Sequence, residues 1–370
     1  MNLGPHFILA LAFLSAAPSA LGADWPWFGG VSRDFVSTER GLIAEWGDRE
    51  PEKLWQAKIG AGYSSIVVAR GLAYAVGNEN GKNIVRCLDA QKGTLVWKYE
   101  FSCAKGAKYF DGGSRGTPTF DDGILYSLSH EGALFAFDAK TGRLKWARHL
   151  VKDFGGRRPT WGFSGCPLAV GSLLIVETGS SKGSLVALNK KTGSTVWVSG
   201  SSEAGYAAAM LRADNPRQGI AFNQAGLTIF NVSDGKLLSE YAHKTRYGIN
   251  AAQPVDLGDY VMISSGYGKG AALVDLTGSA PRSKWESEEI ACQMAGGVRK
   301  GNFYFGIHGQ TGGRSRHATL RCIDLMTGKI QWEKAGFGVG TAIRIGDVLA
   351  ILSDQGELAL VAADYSAFKE

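Results

Sequence analysis

A phrase of nine residues recurs along the chain and constrains its fold more than any single motif. The clearest copy runs from Asp138 to Trp146, and each further copy keeps an acid or amide, a glycine and a tryptophan at the same offsets. The full copies have these anchors: Asp89, Gly93 and Trp97; Asp138, Gly142 and Trp146; Asn189, Gly193 and Trp197; Asp324, Gly328 and Trp332. Self-similarity at a period of roughly 40–50 residues is typical of a repeat architecture.

Each copy predicts a β-hairpin. A short apolar run such as Ala133–Phe137 precedes the phrase, and a second strand ends at the tryptophan. The Asp or Asn side chain can accept hydrogen bonds from the backbone N–H groups just ahead of it, and the glycine supplies the positive φ of a type I turn with a bulge. A second hairpin lies upstream, with its own turn at Asp121–Gly123 or Gly171. Each unit therefore has four short strands, and no run after residue 24 has a convincing helical period.

Four short antiparallel strands in a unit of this length form the blade of a β-propeller. We predict an all-β chain of four-stranded antiparallel blades, with seven visible repeats. The repeats start near Tyr63, Arg115, Trp161, Gly205, Ile249, Cys292 and Val339. One blade cannot bury both of its faces, so the recurrent tryptophans are interpreted as packing between blades and not as a surface that stacks on a substrate.

The last strands indicate how the ring closes. Thr341–Ile345, Val348–Leu352 and Leu358–Ala362 predict three strands of a final blade, and Leu54–Ile59 predicts an outermost strand with no blade before it. Because an unpaired strand edge invites association, we expect Leu54–Ile59 to pair with the final blade and close a seven-bladed ring. Phe368–Glu370 also has the character of a fourth strand, and an eighth blade of about 40 more residues is the alternative.

The chain divides into three segments. Residues 1–23 are predicted to be a signal peptide, because Phe7–Ala17 is apolar and Ala20–Gly22 has the small residues of a cleavage site. Residues 24–53 form an N-terminal lead-in segment, and residues 54–370 form a single propeller domain. We expect export to a periplasmic or extracellular location without a lipid anchor, because no Cys follows the cleavage site. We also expect a monomer with no transmembrane segment in the mature chain.

Charge and cysteine content narrow the function classes. The net charge of +6 is mild and scattered, so no nucleic-acid binding is expected. A bridge between Cys103 and Cys166 is one conceivable pairing, and Cys87 and Cys322 are interpreted as small buried hydrophobes. No pair among these and Cys292 has zinc-site spacing, and no Ser/His/Asp set is recognisable. The sequence therefore predicts no metal ligands and no catalytic residues.

The run from Leu134 to Trp146 resembles the repeat of pyrroloquinoline-quinone-like (PQQ-like) propellers. This group includes quinoprotein dehydrogenases and BamB-like exported proteins of outer-membrane assembly. The opening from Trp25 to Gly30, with Arg33 and Asp34, is similar to the start of short exported members. The resemblance covers nearly everything from residue 24 onward. It implies the propeller fold, commonly with eight blades, but not one function, because the fold hosts both enzymes and scaffolds.

Departures from the dehydrogenases favour a scaffold. Those enzymes are generally longer, and many carry adjacent cysteines beside the cofactor, whereas no two cysteines here are adjacent. A calcium-binding set and a catalytic Asp are not assignable by motif. We therefore expect a non-enzymatic exported protein that binds a protein or peptide partner in the cell envelope, in the manner of BamB, without a cofactor. The alternatives are a PQQ- and Ca²⁺-dependent oxidoreductase of alcohols or sugars, and a glycan-binding propeller.

Loops at the mouth of the central channel contain the candidate ligand-binding residues. In a propeller the first strand of each blade lines the channel, and the loops before these strands form one mouth. Arginine and aromatic side chains converging there could hold an anionic or glycan-like ligand. The candidates are Arg115, Arg157, Arg158, Trp161, Tyr206, Arg246, Tyr247, Asn250 and Gln293. The alternative interpretation is that the arginines are solvated and the loop glycines only allow tight packing.

Overall fold

The structure, a computed structural model, describes residues 22–42, 46, 51–106, 111–294, 296–311 and 317–370. These residues form seven four-stranded sheets, so the predicted all-β propeller with seven visible blades is confirmed. The predicted signal peptide of residues 1–23 lies almost entirely outside the described residues. The division into a lead-in segment and one propeller domain also stays a prediction.

Six of the sheets are built from four consecutive antiparallel strands each. The first three sheets contain β2 (Val67–Ala69), β3 (Leu72–Glu79), β4 (Lys82–Asp89) and β5 (Leu95–Ser102); β6 (Thr119–Asp121), β7 (Ile124–Leu128), β8 (Ala133–Asp138) and β9 (Leu144–His149); and β10 (Leu168–Val170), β11 (Leu173–Ser180), β12 (Gly183–Asn189) and β13 (Thr195–Ser199). The next three contain β14 (Met210–Leu211), β15 (Gln218–Phe222), β16 (Gly226–Asn231) and β17 (Leu237–Ala242); β18 (Val255–Asp256), β19 (Tyr260–Ser265), β20 (Gly270–Asp275) and β21 (Arg282–Ser287); and β22 (Val298–Lys300), β23 (Phe303–His308), β24 (Thr319–Asp324) and β25 (Ile330–Ala335).

The seventh sheet differs from the others. It contains β26 (Thr341–Ile345), β27 (Val348–Leu352) and β28 (Leu358–Ala362), whose bounds are those predicted from the sequence. Its fourth member is β1 (Val36–Ser37), which comes from the N-terminal part of the chain and pairs with β26 in parallel. A single short helix, α1 (Leu150–Phe154), follows β9 and ends at Gly155 in the left-handed conformation. Its five residues are too few to give a helical period in the sequence.

The repeated phrase folds as predicted into the hairpin between the third and fourth strands of a blade. In the second blade, the carboxylate of Asp138 accepts hydrogen bonds from the N–H (3.0 Å) and hydroxyl (2.8 Å) of Thr141. Gly142 has φ +72, and the register shifts by a bulge between Ala136 and Phe137. The same bulge recurs at this place in the first six blades.

The recurrent tryptophan connects each blade to the next, as the sequence predicted. Trp97 of the first blade is buried, its indole N–H donates to the carbonyl of Ala139 (2.8 Å), and its ring lies over Gly142 of the second blade. Trp146 and Trp197 make the same contacts with Gly193 and Gly235 of the following blades. We call this arrangement of an indole over a turn glycine the latch.

The hydrophobic core is divided among the blade interfaces. Each of six clusters joins two consecutive sheets, from the first and second to the sixth and seventh. The cluster between the second and third sheets contains Tyr126 and Leu134 on one side and Leu174 and Val186 on the other. In the described part of the chain no such cluster joins the seventh sheet to the first. A different element makes that connection.

Residues 24–37 form a strap along the innermost strands. Trp25 makes an antiparallel bridge with β2 of the first blade, and the carbonyl of Pro26 accepts a hydrogen bond from β6 of the second (2.7 Å). The guanidinium of Arg33 donates to the carbonyl of Ala169 in β10 of the third blade (3.2 Å). The strap then reaches the seventh blade, where it continues as β1. It therefore connects the two ends of the row of blades.

The predicted pairing of Leu54–Ile59 with the last blade is wrong. Residues 54–59 form no strand, and the segment beside the last blade is β1, on the side of the first blade strand. The contact made by Trp55 explains the misleading signal, since it lies over Gly93 and its indole N–H donates to the carbonyl of Ala90 (3.1 Å). This is the latch contact of a fourth-strand tryptophan, made without a strand.

Candidate functional site

A pocket of about 230 Å³ lies where the loops before the first blade strands converge. Aromatic and aliphatic side chains form most of its wall. It is lined by Phe28, Tyr63, Arg115, Thr117, Trp161, Ser164, Cys166, Tyr206, Ala208, Ile249, Ala251, Tyr267, Gln293, Met294 and Thr311. We call it the mouth pocket. It draws on the first six blades and, through Phe28, on the strap.

Arg115 is the one charged side chain in this lining. It is partly buried, and burial lowers the pKa of its guanidinium. One terminal N–H group donates to the carbonyl of Gly106 (3.3 Å), and the guanidinium carbon lies 5.9 Å from the ring centre of Tyr63. Its Nε has no hydrogen-bond partner although it is buried. The pocket is therefore electropositive, with donor capacity to spare.

Trp161 and Tyr206 form an aromatic corner of the mouth pocket. Their rings meet edge to face with centroids 6.1 Å apart, and the indole Nε1 of Trp161 is buried without a partner. Burial raises the pKa of Tyr206 to about 12, so its phenol stays protonated at neutral pH. The Tyr206 oxygen accepts the backbone N–H of Trp161 at 3.4 Å, which leaves its own proton free to donate.

Tyr267 also lines the mouth pocket and is held in an unusual conformation. Its φ is +59, in the left-handed region that a bulky residue rarely adopts. The buried amide of Gln293 donates to its hydroxyl (2.9 Å), and the Gln293 carbonyl accepts the N–H of Thr311 (2.6 Å). Strain of this kind persists only where the surroundings fix it, and here it aims a ring into the pocket.

The structure brings together four of the nine candidate residues. The four that line the mouth pocket are Arg115, Trp161, Tyr206 and Gln293. The side-chain amide of Gln293 is already hydrogen-bonded to Tyr267 and Thr311.

The other five candidates lie outside the pocket lining. Arg157 and Arg158 are exposed, and Arg157 forms an ion pair with Glu203. Arg246 is exposed over the ring of Tyr247, which is itself half exposed. Asn250 is fully buried, and its amide donates to the carbonyls of Asn223 (2.7 Å) and His243 (2.9 Å).

Several pocket residues were not predicted. Tyr63, Ile249 and Ala251 lie in or beside segments that the repeat pattern placed at the mouth, so their blade positions were a usable signal. Phe28 precedes Thr117, another residue of the pocket lining, by about 90 positions in the sequence. No repeat pattern connects Phe28 to the channel. It reaches the pocket because the strap runs along the inner strands, and there it packs edge to face on Phe35 (5.0 Å).

A cluster of three titratable residues and a separate glutamate have no role that the sequence suggested. Cys103, His130 and Glu131 place a sulfur, a ring nitrogen and a carboxylate oxygen within 4.8 Å of one another. The Cys103 thiol lies 3.8 Å from His130 Nδ1, and neither Cys103 nor Cys166 forms a disulfide, so the bridge considered above is wrong. Burial raises the pKa of Glu177 to about 7, with one oxygen accepting the Gly205 N–H (3.3 Å) and the other unpartnered.

In the described part of the chain, no helix has the length and apolar character needed to cross a membrane.

Comparisons with known proteins agree with this architecture. A family model described as outer membrane protein assembly factor BamB matches residues 81–334, more than half of the chain. The BamB protein of Yersinia pestis is 29% identical over 129 residues, which cover 32% of this chain and 32% of that protein. The chain thus matches about a third of that relative's length.

A quinoprotein and a solved structure are also similar. Quinohemoprotein alcohol dehydrogenase ADH-IIG of Pseudomonas putida is 28% identical over 138 residues, covering 35% of this chain and 18% of the enzyme. The crystal structure of BamB from Moraxella catarrhalis superposes with a TM-score of 0.59 at 16% identity, covering 83% of this chain and 86% of that one. At that identity the superposition supports the fold alone.

Proposed function

The chain belongs to the family of the outer membrane protein assembly factor BamB, and we propose that it is an exported, non-enzymatic scaffold that binds a protein or peptide segment in the cell envelope. The finer proposal is a part in outer-membrane protein assembly, as the names of its relatives state for them. Binding takes place at the mouth pocket. The whole proposal depends on one observation, which is the composition of that pocket.

The mouth pocket has the character of a recognition site. Five aromatic side chains line it, namely Phe28, Tyr63, Trp161, Tyr206 and Tyr267. Aromatic side chains provide large contact areas at low entropic cost and dominate binding hot spots. Tyr63, and Met294 of the same lining, remain more than half exposed, so apolar surface is available to a partner.

A quinone-dependent oxidoreductase is the second candidate, because of the similarity to ADH-IIG. The pocket residues do not fit that cofactor. Ca²⁺ takes six to eight oxygen ligands, with carboxylates prominent among them, and no Asp or Glu lines the mouth pocket. PQQ itself carries three carboxylates, and Arg115 is the single cation in the lining. We therefore propose a function without quinone chemistry. The glycan-binding alternative stays a prediction, to be tested on a glycan array.

Site-specific photo-crosslinking tests the scaffold proposal. A photoreactive residue replaces Tyr247, which is half exposed at the mouth, or Lys140, which is exposed in a β8–β9 turn at the other end of a blade. Each mature protein is mixed with a radiolabelled outer-membrane β-barrel protein, either freshly diluted from urea or already folded. We expect crosslinks from position 247 to the unfolded client and not from position 140. Equal yields from both positions, or none from 247, contradict the proposal.

A spectroscopic titration tests the second candidate. PQQ with Ca²⁺ is added to the purified protein, and an artificial electron acceptor is then supplied together with alcohols and sugars. We expect no turnover. Reduction of the acceptor that requires both the quinone and Ca²⁺ would replace the scaffold proposal with an enzymatic one.

A further inference from the structure

Arg115 has a positive charge that the described residues do not neutralise. None of the ion pairs in the described part of the chain includes it. Burial lowers the pKa of its guanidinium, and the groups that act in the opposite direction are the phenols of Tyr63 and Tyr206, not carboxylates. A partly buried cation is costly unless it is paired, and its Nε lacks even a neutral partner. A ligand that supplies an anion removes this cost.

Three further polar groups of the pocket residues can donate hydrogen bonds. Trp161 Nε1 can only donate, and it is buried and unpartnered. The hydroxyls of Tyr206 and Tyr267 each accept an N–H group from the protein, at 3.4 Å and 2.9 Å, and their protons remain available. No carboxylate lines the pocket to accept them. These three donors and the Arg115 guanidinium belong to residues that line one cavity without a carboxylate in its wall, which indicates a ligand with an oxyanion.

The wall limits which oxyanion fits. Ala208, Ile249, Ala251 and Phe28 give the pocket an apolar side, where a doubly charged phosphate would lose its hydration against a single arginine. A carboxylate carries one charge, which matches Arg115. The size agrees, because a cavity of about 150 Å³ holds benzene. The pocket of about 230 Å³ has room for one ring or branched alkyl group with a carboxylate attached.

We propose that the mouth pocket binds a monocarboxylate with an apolar or aromatic body, its carboxylate on Arg115 and Trp161 Nε1 and its body against Phe28 and Ile249. The inference rests on the binding function proposed above, because it names the ligand of that same site. Two sources share this chemistry. One is the C-terminal residue of a polypeptide with an apolar side chain, and the other is a free small carboxylic acid.

Isothermal titration calorimetry of the mature protein distinguishes these sources. The probes are a tripeptide Ala-Ala-Phe with a free carboxylate, the same tripeptide as its C-terminal amide, 3-phenylpropionate, and 3-phenylpropionamide. We expect each acid to bind at least about 10-fold tighter than its amide, since a hydrogen bond to a charged group contributes about 1.5–3 kcal/mol.

Three variants test the residues. Arg115→Gln should lower the affinity for the two acids by about 10- to 100-fold, because the charged hydrogen bond to the carboxylate is lost. It should also abolish the preference for the acids over the amides. Trp161→Phe keeps a ring but lacks the indole N–H, and should weaken the acids alone. Arg246→Gln is the matched control, because this arginine is exposed at the mouth and does not line the pocket. It should bind every probe like the wild type.

Each result has a defined meaning. Equal affinity for acid and amide, lost in Trp161→Ala, overturns the carboxylate proposal but leaves the scaffold function standing. If the tripeptide acid binds and 3-phenylpropionate does not, the result supports a polypeptide C-terminus as the ligand. If 3-phenylpropionate binds and the tripeptide acid does not, the result supports a small acid and counts against a peptide partner. No binding of any probe to protein with a native circular dichroism spectrum overturns the proposal, while the crosslinking experiment judges the scaffold function separately. An equal loss of affinity for the acids in Arg246→Gln and Arg115→Gln would also overturn the carboxylate proposal.

Discussion

The latch between blades provides a quantitative test of why the repeated glycine is required. Gly142 has φ +72, and a Cβ built there would lie 2.6 Å from Cδ2 of Trp97. An alanine at this position therefore has two separate problems, which are its own backbone strain and the collision with the indole. Gly123, in the turn between β6 and β7, has φ +75 and nothing within 4 Å of the corresponding Cβ position. Gly123→Ala is thus a matched control that has the strain without the collision.

The two contributions can be estimated separately. Holding an alanine in the left-handed region costs about 1–2 kcal/mol in both variants. In Gly142→Ala the indole of Trp97 must also move, and it then loses its 2.8 Å hydrogen bond to Ala139 in a buried site. A buried donor left unsatisfied costs about 1–3 kcal/mol. We expect Gly142→Ala to lower the free energy of unfolding by about 2–5 kcal/mol in total, and Gly123→Ala by about 1–2 kcal/mol.

Equilibrium unfolding in urea, followed by circular dichroism, measures both variants. The variants are compared by the urea concentration at the midpoint of unfolding. The comparison requires that the slope of the unfolding free energy against urea concentration is unchanged, because this slope scales with the surface exposed on unfolding. A double-mutant cycle adds Trp97→Ala, in whose background Gly142→Ala should cost no more than Gly123→Ala does. If the two glycine variants unfold at the same midpoint, or if Trp97→Ala leaves their difference unchanged, the latch does not explain the glycine.

Three further predictions use the same assay. Trp146→Ala should cost about 3–5 kcal/mol, since it empties a buried site between the second and third blades. Arg212→Ala should cost about 3–5 kcal/mol, because it leaves Asp256 buried without its partner at 3.2 Å, whereas Arg282→Ala, which removes an exposed guanidinium from Asp275, should cost under about 1 kcal/mol. Burial raises the pKa of Glu177 from 4.5 to about 7, so the folded state keeps a proton that the unfolded chain releases, and stability falls as pH rises through this interval. Glu177→Gln should therefore be more stable than the wild type at pH 8 and no more stable at pH 4, and a gain that is independent of pH would contradict this.

Much of the blade could be predicted because its determinants are local. The Asp138 carboxylate, the positive φ of Gly142 and the bulge before Phe137 all lie within one hairpin, so the sequence of that hairpin is sufficient. The role of the tryptophan followed from repetition, since the same residue at the same offset in successive units indicates a contact between units. The hydrogen-bond partners of Gln293 and Asn250 could not be predicted, for the opposite reason. Both are polar residues of mouth loops, but their amides are hydrogen-bonded to other residues of the protein, and only the assembled loops reveal these bonds.

The strap shows why the two ends of a repeat array escape the pattern. An inner blade has a neighbour of its own kind on both sides, so repetition predicts its contacts. The first and last blades require something else, and here residues 24–37 supply it with backbone hydrogen bonds to the first, second and seventh blades, including 2.9 Å from Arg344 N–H to the Phe35 carbonyl. These bonds use carbonyl and N–H groups that every residue has, and no side-chain pattern records them. Because Phe28 lies on this strap and lines the mouth pocket, the segment that joins the ends of the array also shapes the proposed binding site.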